Sequence, residues 1–374
     1  MSRARRLSST TAAVTLVLLA AANVWAQAPL GTSGGNINDI SRLYCCGGTL
    51  GALVQAGTTR YILSNNHVLA ETNAGHVGDP IIQPGLIDQN PVCARDTNDT
   101  VARLSSFKPI SFKVGTTNLV DAAIAEVSGS RIDASGAIAN IGHVNTAIIT
   151  AVPGMLVKKT GRTTGTTHGS ITSINVTVDV GYSKQCGIGS QKARFINQIG
   201  ISPGTFSSGG DSGALIVEDV PSCPRPVGLL FAGSTSITLA NPIGPVLNAF
   251  PGVGIVGCQT TVEKSPGLLS RLFAWLSPPA FAGQGSHPDP AALAHATHVK
   301  EAHEHALLGI PGVLGAGVGL SDTVPDQVVI HVLVERLGEG VRHAVPARLD
   351  SVPVQLVETG PIIAHCAPPD GPAE

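Results

Sequence analysis

The run Gly209-Gly210-Asp211-Ser212-Gly213 sets a serine in a tight turn between two β-rich segments. A serine hydroxyl is a weak nucleophile and needs a neighbouring base to take its proton. It also needs backbone N–H donors aimed at the oxyanion that forms on attack. A glycine two residues before Ser212 lets the chain turn so that the N–H groups of Gly210 and Ser212 converge. Alone, the run is no more than a Gly/Ser surface turn. Two other segments change that. Tyr61-Ile-Leu-Ser-Asn-Asn-His67-Val-Leu ends a β-run in a histidine, and Leu119-Val-Asp121-Ala-Ala-Ile-Ala puts a lone acid at the head of an apolar strand. A buried acid is costly unless it is hydrogen-bonded, and orienting a histidine is one way to satisfy it. For His67 by itself a structural role is the commoner outcome. The three segments together point to nucleophilic acyl transfer.

In the order His67, Asp121, Ser212 the chain resembles the chymotrypsin-like (trypsin fold) serine peptidases. The likeness covers roughly residues 40–259. It continues through Ala214-Leu-Ile-Val217 and through Pro226-Val-Gly-Leu-Leu-Phe-Ala-Gly233-Ser234, similar to the family's strand lining the specificity pocket. Asn-Asn-His, Val-Asp-Ala-Ala-Ile-Ala and Gly161-Arg-Thr-Thr-Gly165 are similar to segments of a bacterial secreted subgroup. The resemblance implies a mainly β fold of two six-stranded antiparallel barrels, followed here by a small α+β module. It implies Ser212 as nucleophile, His67 as general base and acid, and Asp121 as the group fixing the imidazole tautomer. Gly210 and Ser212 would form the oxyanion hole, and neither a cofactor nor a metal is implied.

The departures concern specificity and activation. Ala214 stands where the commonest family motif has a further glycine. The pocket-base position, six before the serine, is Phe206 rather than an acid, so a preference for Lys or Arg is not implied. Phe231 and Gly233 fall on the pocket-lining strand, and Ile237 would protrude into the pocket if Ala240 matches the family's late-strand alanine. Phe206, Phe231, Gly233 and Ile237 therefore outline a site for small or apolar side chains, although Phe206 suits a core equally well. No Ile-Val-Gly-Gly start exists, so Asp211 needs a partner other than a new N-terminus.

These residues need a scaffold, and the pattern from Gly47 to Cys258 supplies one. Short β-rich runs alternate with turn clusters, and Thr49–Val54 and Arg60–Leu63 flank a hairpin signal at residues 55–59. Further runs fall at 101–104, 121–127, 155–158, 170–180, 193–201, 214–218 and 227–232, with a short helix at 245–250. The 44 Gly and 26 Pro suit this tight-turned chain and exclude a helical bundle. With 43% hydrophobic and 13% charged residues, a buried core is expected. A net charge of -2 gives no electrostatic reason for a nucleic-acid or anionic-membrane partner.

Residues 1–26 carry Arg3, Arg5 and Arg6 ahead of an apolar run from about Ala12 to Val24, then small residues. That is the pattern of a signal peptide; the run is shorter than the ~20 residues of a spanning helix. A secreted or periplasmic location follows, with no membrane attachment after signal removal. Export makes disulfides the expected state of Cys45, Cys46, Cys93, Cys186, Cys223 and Cys258, with the pairing open and Cys366 standing apart.

Composition shifts after Val262. Residues 260–290 read as a linker with an apolar patch at 268–275, and 291–365 as a small α+β module. The module has a helix at 290–308, a Gly-rich strand at 311–320, a strand at 327–335, a helix at 341–349 and a strand at 352–357. His295, His298, His303 and His305 crowd its first helix, where a solvated face is favoured over a metal site. The module has no catalytic set and is expected to bind an unknown partner. The expected function is an exported serine endopeptidase acting on protein or peptide. A non-peptidic acyl hydrolase using the same triad, or a silent binding protein on this scaffold, are the alternatives.

Overall fold

The computed structural model describes residues 27–259 and 288–364. The expected signal segment, the apolar patch at 268–275 and Cys366 lie outside the described residues. Among those described, no helix is long and apolar enough to cross a membrane.

The first sheet is built from β1 (Thr32–Asn36), β2 (Gly48–Leu50), β3 (Ala52–Ala56), β4 (Thr59–Ser64), β5 (Pro80–Ile82), β6 (Thr100–Phe107) and β7 (Ala123–Val127). The β3–β4 hairpin turns where it was expected, at Gly57 in the left-handed region (φ +59). The sheet order is β3-β4-β7-β6-β5-β1-β2. Since β2 and β3 are one run broken at Gly51, the two ends of the sheet meet and the barrel closes with six strands. Leu50, Leu53, Ile62, Leu63, Ile81, Val101 and Leu104 are buried in one hydrophobic cluster on its two faces. β1 begins before Gly47, where the strand pattern was expected to start, and before residue 40, where the likeness was. Its sequence, Thr-Ser-Gly-Gly-Asn, has no strand signal of its own and is held by pairing to β2 and β5.

The second barrel comprises β8 (Leu156–Gly161), β9 (Gly165–Tyr182), β10 (Gln191–Ser202), β11 (Leu215–Glu218), β12 (Pro226–Gly233) and β13 (Thr238–Pro242). Their order is β10-β13-β12-β11-β8-β9, and a β10–β9 pairing closes the ring. The fold is therefore trypsin-like, two closed six-stranded antiparallel barrels. A short helix at Ile243–Asn248 follows, and β14 (Gly254–Ile255) returns to pair with β3. Three disulfides resolve the pairing left open by the sequence: Cys45–Cys93, Cys46–Cys186 and Cys223–Cys258.

Beyond residue 288 come a helix at Pro290–Leu308, β15 (Val313–Leu320), β16 (Val328–Val334), a helix at Glu339–Ala344, β17 (Arg348–Leu349) and β18 (Val352–Glu358). Asp289 caps the first helix by accepting from Ala291 N–H at 2.9 Å, with Pro290 in the first turn. Its buried Ala296, Val299 and Leu307 pack on Val313, Val318 and Val332. His295, His298 and His305 are exposed and His303 is half-buried. The second helix stops short of the expected 341–349, because Val345 precedes Pro346 and takes an extended conformation (ψ 120).

These strands extend the second barrel's sheet. β15 pairs antiparallel with β9, Gly315 opposite Val178 and Gly319 opposite Ser173. A Cβ at either glycine would overlap a β9 carbonyl, Thr177 O or Thr172 O. The Gly-rich run is thus a strand in close backbone contact, as expected at 311–320. β16 continues the sheet and pairs parallel with β18.

Candidate active site

β4 ends at Ser64, and the single helical turn Asn66–Leu69 carries His67 inward. The imidazole Nδ1 lies 2.5 Å from Asp121 Oδ2, and the His67 backbone N–H donates to Asp121 Oδ1 at 3.2 Å. Asp121, at the mouth of β7, has no solvent exposure. A third donor completes its carboxylate: Tyr182 O–H reaches Oδ2 at 2.8 Å. Its backbone is fixed as well. Asn65 Nδ2 donates to the Asp121 carbonyl (2.7 Å), and Asp121 N–H donates to Asn241 Oδ1 (3.0 Å), itself held by Gln198 (2.6 Å). With Nδ1–H directed at the carboxylate, Nε2 carries the lone pair.

The serine turn hangs on the first barrel. Gly210 and Gly213 both take φ +93, a region costly for any side chain. Thr49 N–H donates to the Ser212 carbonyl at 2.8 Å, and Thr49 Oγ1 donates to the Gly210 carbonyl at 2.9 Å. Ser64 Oγ donates to the Thr49 carbonyl at 2.7 Å. Ser64 stands three residues before His67, so one short chain of bonds links the histidine's strand to the serine's turn. A Cβ at Gly213 would collide with Ser64 Oγ, and one at Gly51 with the Gly213 carbonyl. Both glycines are needed for the barrels to meet this closely. Ser212 Oγ donates to the Phe231 carbonyl at 3.3 Å. Among the described residues no group accepts from the Gly210 or Ser212 backbone N–H.

Asp211, whose partner the sequence left open, is buried against Lys159 Nζ at 3.2 Å. Its Oδ1 accepts from the backbone N–H groups of Thr163 (2.8 Å) and Thr164 (3.1 Å). Its Oδ2 accepts from Thr164 Oγ1 (2.7 Å) and Ser208 N–H (3.0 Å). The Gly161–Gly165 segment is therefore the cradle of Asp211. Burial pulls the Lys159 ammonium below its usual range, opposed by the charge and hydrogen bond of Asp211. The sequence offers two adjacent lysines, Lys158 and Lys159, and no local signal for which one turns inward.

The residues expected to shape specificity separate. The Phe231 carbonyl and Gly233 lie at the site, while the side chains of Phe206, Phe231 and Ile237 pack inside the second barrel's core. Phe206 faces Lys159, 5.9 Å from ring centre to Nζ. A groove of about 360 Å³ opens beside His67, lined by Asp39, Glu71, Tyr182, Cys186 and, from the chain's far end, Ile363 and Ala364. A larger cavity of about 670 Å³ lies over the β3–β4 hairpin and holds none of the three residues. Burial, then the neighbouring Glu71 charge, raises the Asp39 carboxyl well above its usual range. Asp39, Cys46 and Cys186 cluster within 4.8 Å, but both sulfurs are tied in a disulfide and offer no thiolate to a metal. Sequence reasoning missed Tyr182, Asn241, Gln198 and Lys159.

No protein family profile and no curated protein matches the sequence. Solved structures do. A glutamic acid-specific serine protease matches at 20% identity and a TM-score of 0.41, over 61% of this chain and 100% of its own. Thermobifida fusca protease A matches at 17% and 0.38, over 62% and 98%. Cellulomonas bogoriensis chymotrypsin matches at 16% and 0.39, over the same shares.

Proposed function

We propose that the chain is an exported serine endopeptidase that cleaves through an acyl-enzyme. The observation that carries the reading is the buried Asp121 carboxylate, which grips His67 through both its backbone N–H and Nδ1, with the Gly-flanked serine turn tied to the same strand through Ser64 and Thr49. Ser212 Oγ attacks the scissile carbonyl while His67 Nε2 takes its proton. The imidazolium that forms is stabilised by Asp121, whose third bond to Tyr182 keeps the carboxylate in place. The oxyanion is received by the N–H groups of Gly210 and Ser212. His67 then protonates the leaving amine, and a water activated by the same base releases the acyl group from Ser212. The side chains of Phe206, Phe231 and Ile237 lie in the core, so the preference for small or apolar side chains rests on the absence of an acid at position 206. Three disulfides support an oxidising, extracytoplasmic location.

Labelling with a fluorophosphonate tests the nucleophile: a single adduct on Ser212 is expected, and its absence from the folded protein defeats the reading. Digestion of casein and a chromogenic peptide panel then separates a peptidase from an esterase. Fastest cleavage after Arg would overturn the specificity.

A further inference from the structure

β11 covers one edge of β12 only as far as Leu230, whose N–H and carbonyl pair with Ala214 and Gly213. Past that point the edge from Phe231 to Gly233 is available, and Phe231 is where the Ser212 hydroxyl is bonded. An unpaired strand edge leading up to a nucleophile is a docking site for an extended peptide, recognised by its main chain. Here that edge is filled from within. Ile363 N–H donates to the Gly233 carbonyl and Gly233 N–H to the Ile363 carbonyl, both at 3.0 Å, a closed antiparallel pair. On its other side the segment is gripped by the end of β9: Gly181 N–H donates to the Ile362 carbonyl and Ala364 N–H to the Gly181 carbonyl, both at 2.9 Å.

Granting the peptidase reading above, we propose that Pro361–Ala364 is an intramolecular occupant of the peptide-binding strand, and that the C-terminal module exists to hold it there. The delivery is built into the fold. β15 docks the module on β9, and β18 runs out along β16 to Glu358. Thr359, buried, ties N–H to the Val334 carbonyl at 2.9 Å, and Gly360 (φ +68) turns the chain back towards β12. Ser236 Oγ, on the β12–β13 turn, clasps the Glu358 carbonyl at 3.1 Å. Ile362 is buried among second-barrel residues, whereas Ile363 is 43% exposed. The segment is thus anchored chiefly by Ile362, with Ala364 packed beside the same cluster, and otherwise held by backbone bonds, as a substrate strand would be. A tethered occupant acts at an effective concentration in the millimolar range, so a free peptide must compete with it.

The test compares three proteins: the full chain, the chain ended after Ile362, and full-length Ile363→Pro, which lacks the N–H donated to Gly233. The truncation keeps the buried anchor and β18; the substitution keeps the entire tail. Both variants should lower KM for an extended chromogenic peptide by about tenfold or more. An acetylated, amidated Pro-Ile-Ile-Ala peptide should inhibit the truncated protein competitively at millimolar concentration. Fluorophosphonate labelling of Ser212 is followed in parallel. Labelling in all three proteins with an unchanged peptide KM overturns the tail proposal alone, whereas no labelling in any of them overturns the peptidase reading and the tail proposal with it.

Discussion

Lys159 and Asp211 meet 3.2 Å apart, both without solvent exposure, beneath the turn that carries Ser212. Asp211 is the residue next to the nucleophile, so the pair sets the turn from below. Removing one member of a buried ion pair typically costs about 3–5 kcal/mol, because the other charge is stranded. Lys159→Met should therefore lower stability by several kcal/mol in urea unfolding and slow the labelling of Ser212. The double replacement Lys159→Met/Asp211→Asn should cost less than the two single changes added together. Additive losses would show that the two charges are not coupled.

Tyr182 acts on the opposite side of the site. Its hydroxyl is the third donor to Asp121, and its ring stands edge-on to His67 at 5.9 Å between centroids. A hydrogen bond to a charged acceptor is worth about 1.5–3 kcal/mol. Tyr182→Phe keeps the ring and removes only that bond, so kcat/KM should fall roughly tenfold while the unfolding midpoint moves little. Tyr182→Leu should cost more on both measures. An unchanged kcat/KM in the Phe variant would mean that the hydroxyl does not position the carboxylate.

Gly51 joins the barrels at their closest approach. An added Cβ there meets the Gly213 carbonyl and the Leu63 carbonyl, neither of which can rotate away. Overpacking costs about 1–3 kcal/mol where side chains can yield, and backbone yields less. Gly51→Ala should displace the serine turn and reduce Ser212 labelling at least tenfold, whereas Gly57→Ala, at a hairpin with open space around it, should leave labelling intact and cost only backbone strain.

The contrast between these residues explains what the sequence made legible. His67, Asp121 and Ser212 were readable because acyl transfer demands particular side chains in particular local settings: an acid heading an apolar strand, a serine between glycines. Gly210 and Gly213 declare themselves for the same local reason. Lys159 is different. It follows Lys158, and strand pleating sends one outwards and the other into the core, but nothing local says which. Its partner lies 52 residues on, in the serine turn, as Asn241 and Tyr182 lie far along the chain from Asp121. β1 and β13 escaped because Thr-Ser-Gly-Gly-Asn and Thr-Leu-Ala-Asn-Pro are shaped into strands by their neighbours rather than by propensity. The second helix of the C-terminal module, expected at 341–349, starts two residues earlier and ends at Ala344, where Pro346 overrides the continuing pattern.

His331 gives the molecule an acid-sensitive joint. It lies on β16 and reaches across to β9, with Nδ1 accepting from Ser173 Oγ (2.7 Å) and Nε2 donating to the Leu320 carbonyl (3.2 Å). Burial lowers its pKa below 6.5, opposed by the charge of Asp322 and the Leu320 hydrogen bond. The unfolded chain therefore takes up a proton near pH 6.5 that the folded chain still refuses, so stability rises with pH in that window. The contribution is complete above pH 6.5 and is lost as pH falls through the lowered folded value. Carboxylates elsewhere also titrate in acid, so the comparison must be with a variant. The loss of stability between pH 7.5 and pH 5 should be smaller in His331→Gln than in the parent. Because His331 sits where the C-terminal strands meet the second barrel, the protection factors of the β15 and β16 amides, corrected for the pH dependence of intrinsic exchange, should fall in acid in the parent and less so in the variant. Equal pH slopes in the two proteins would remove His331 from the account.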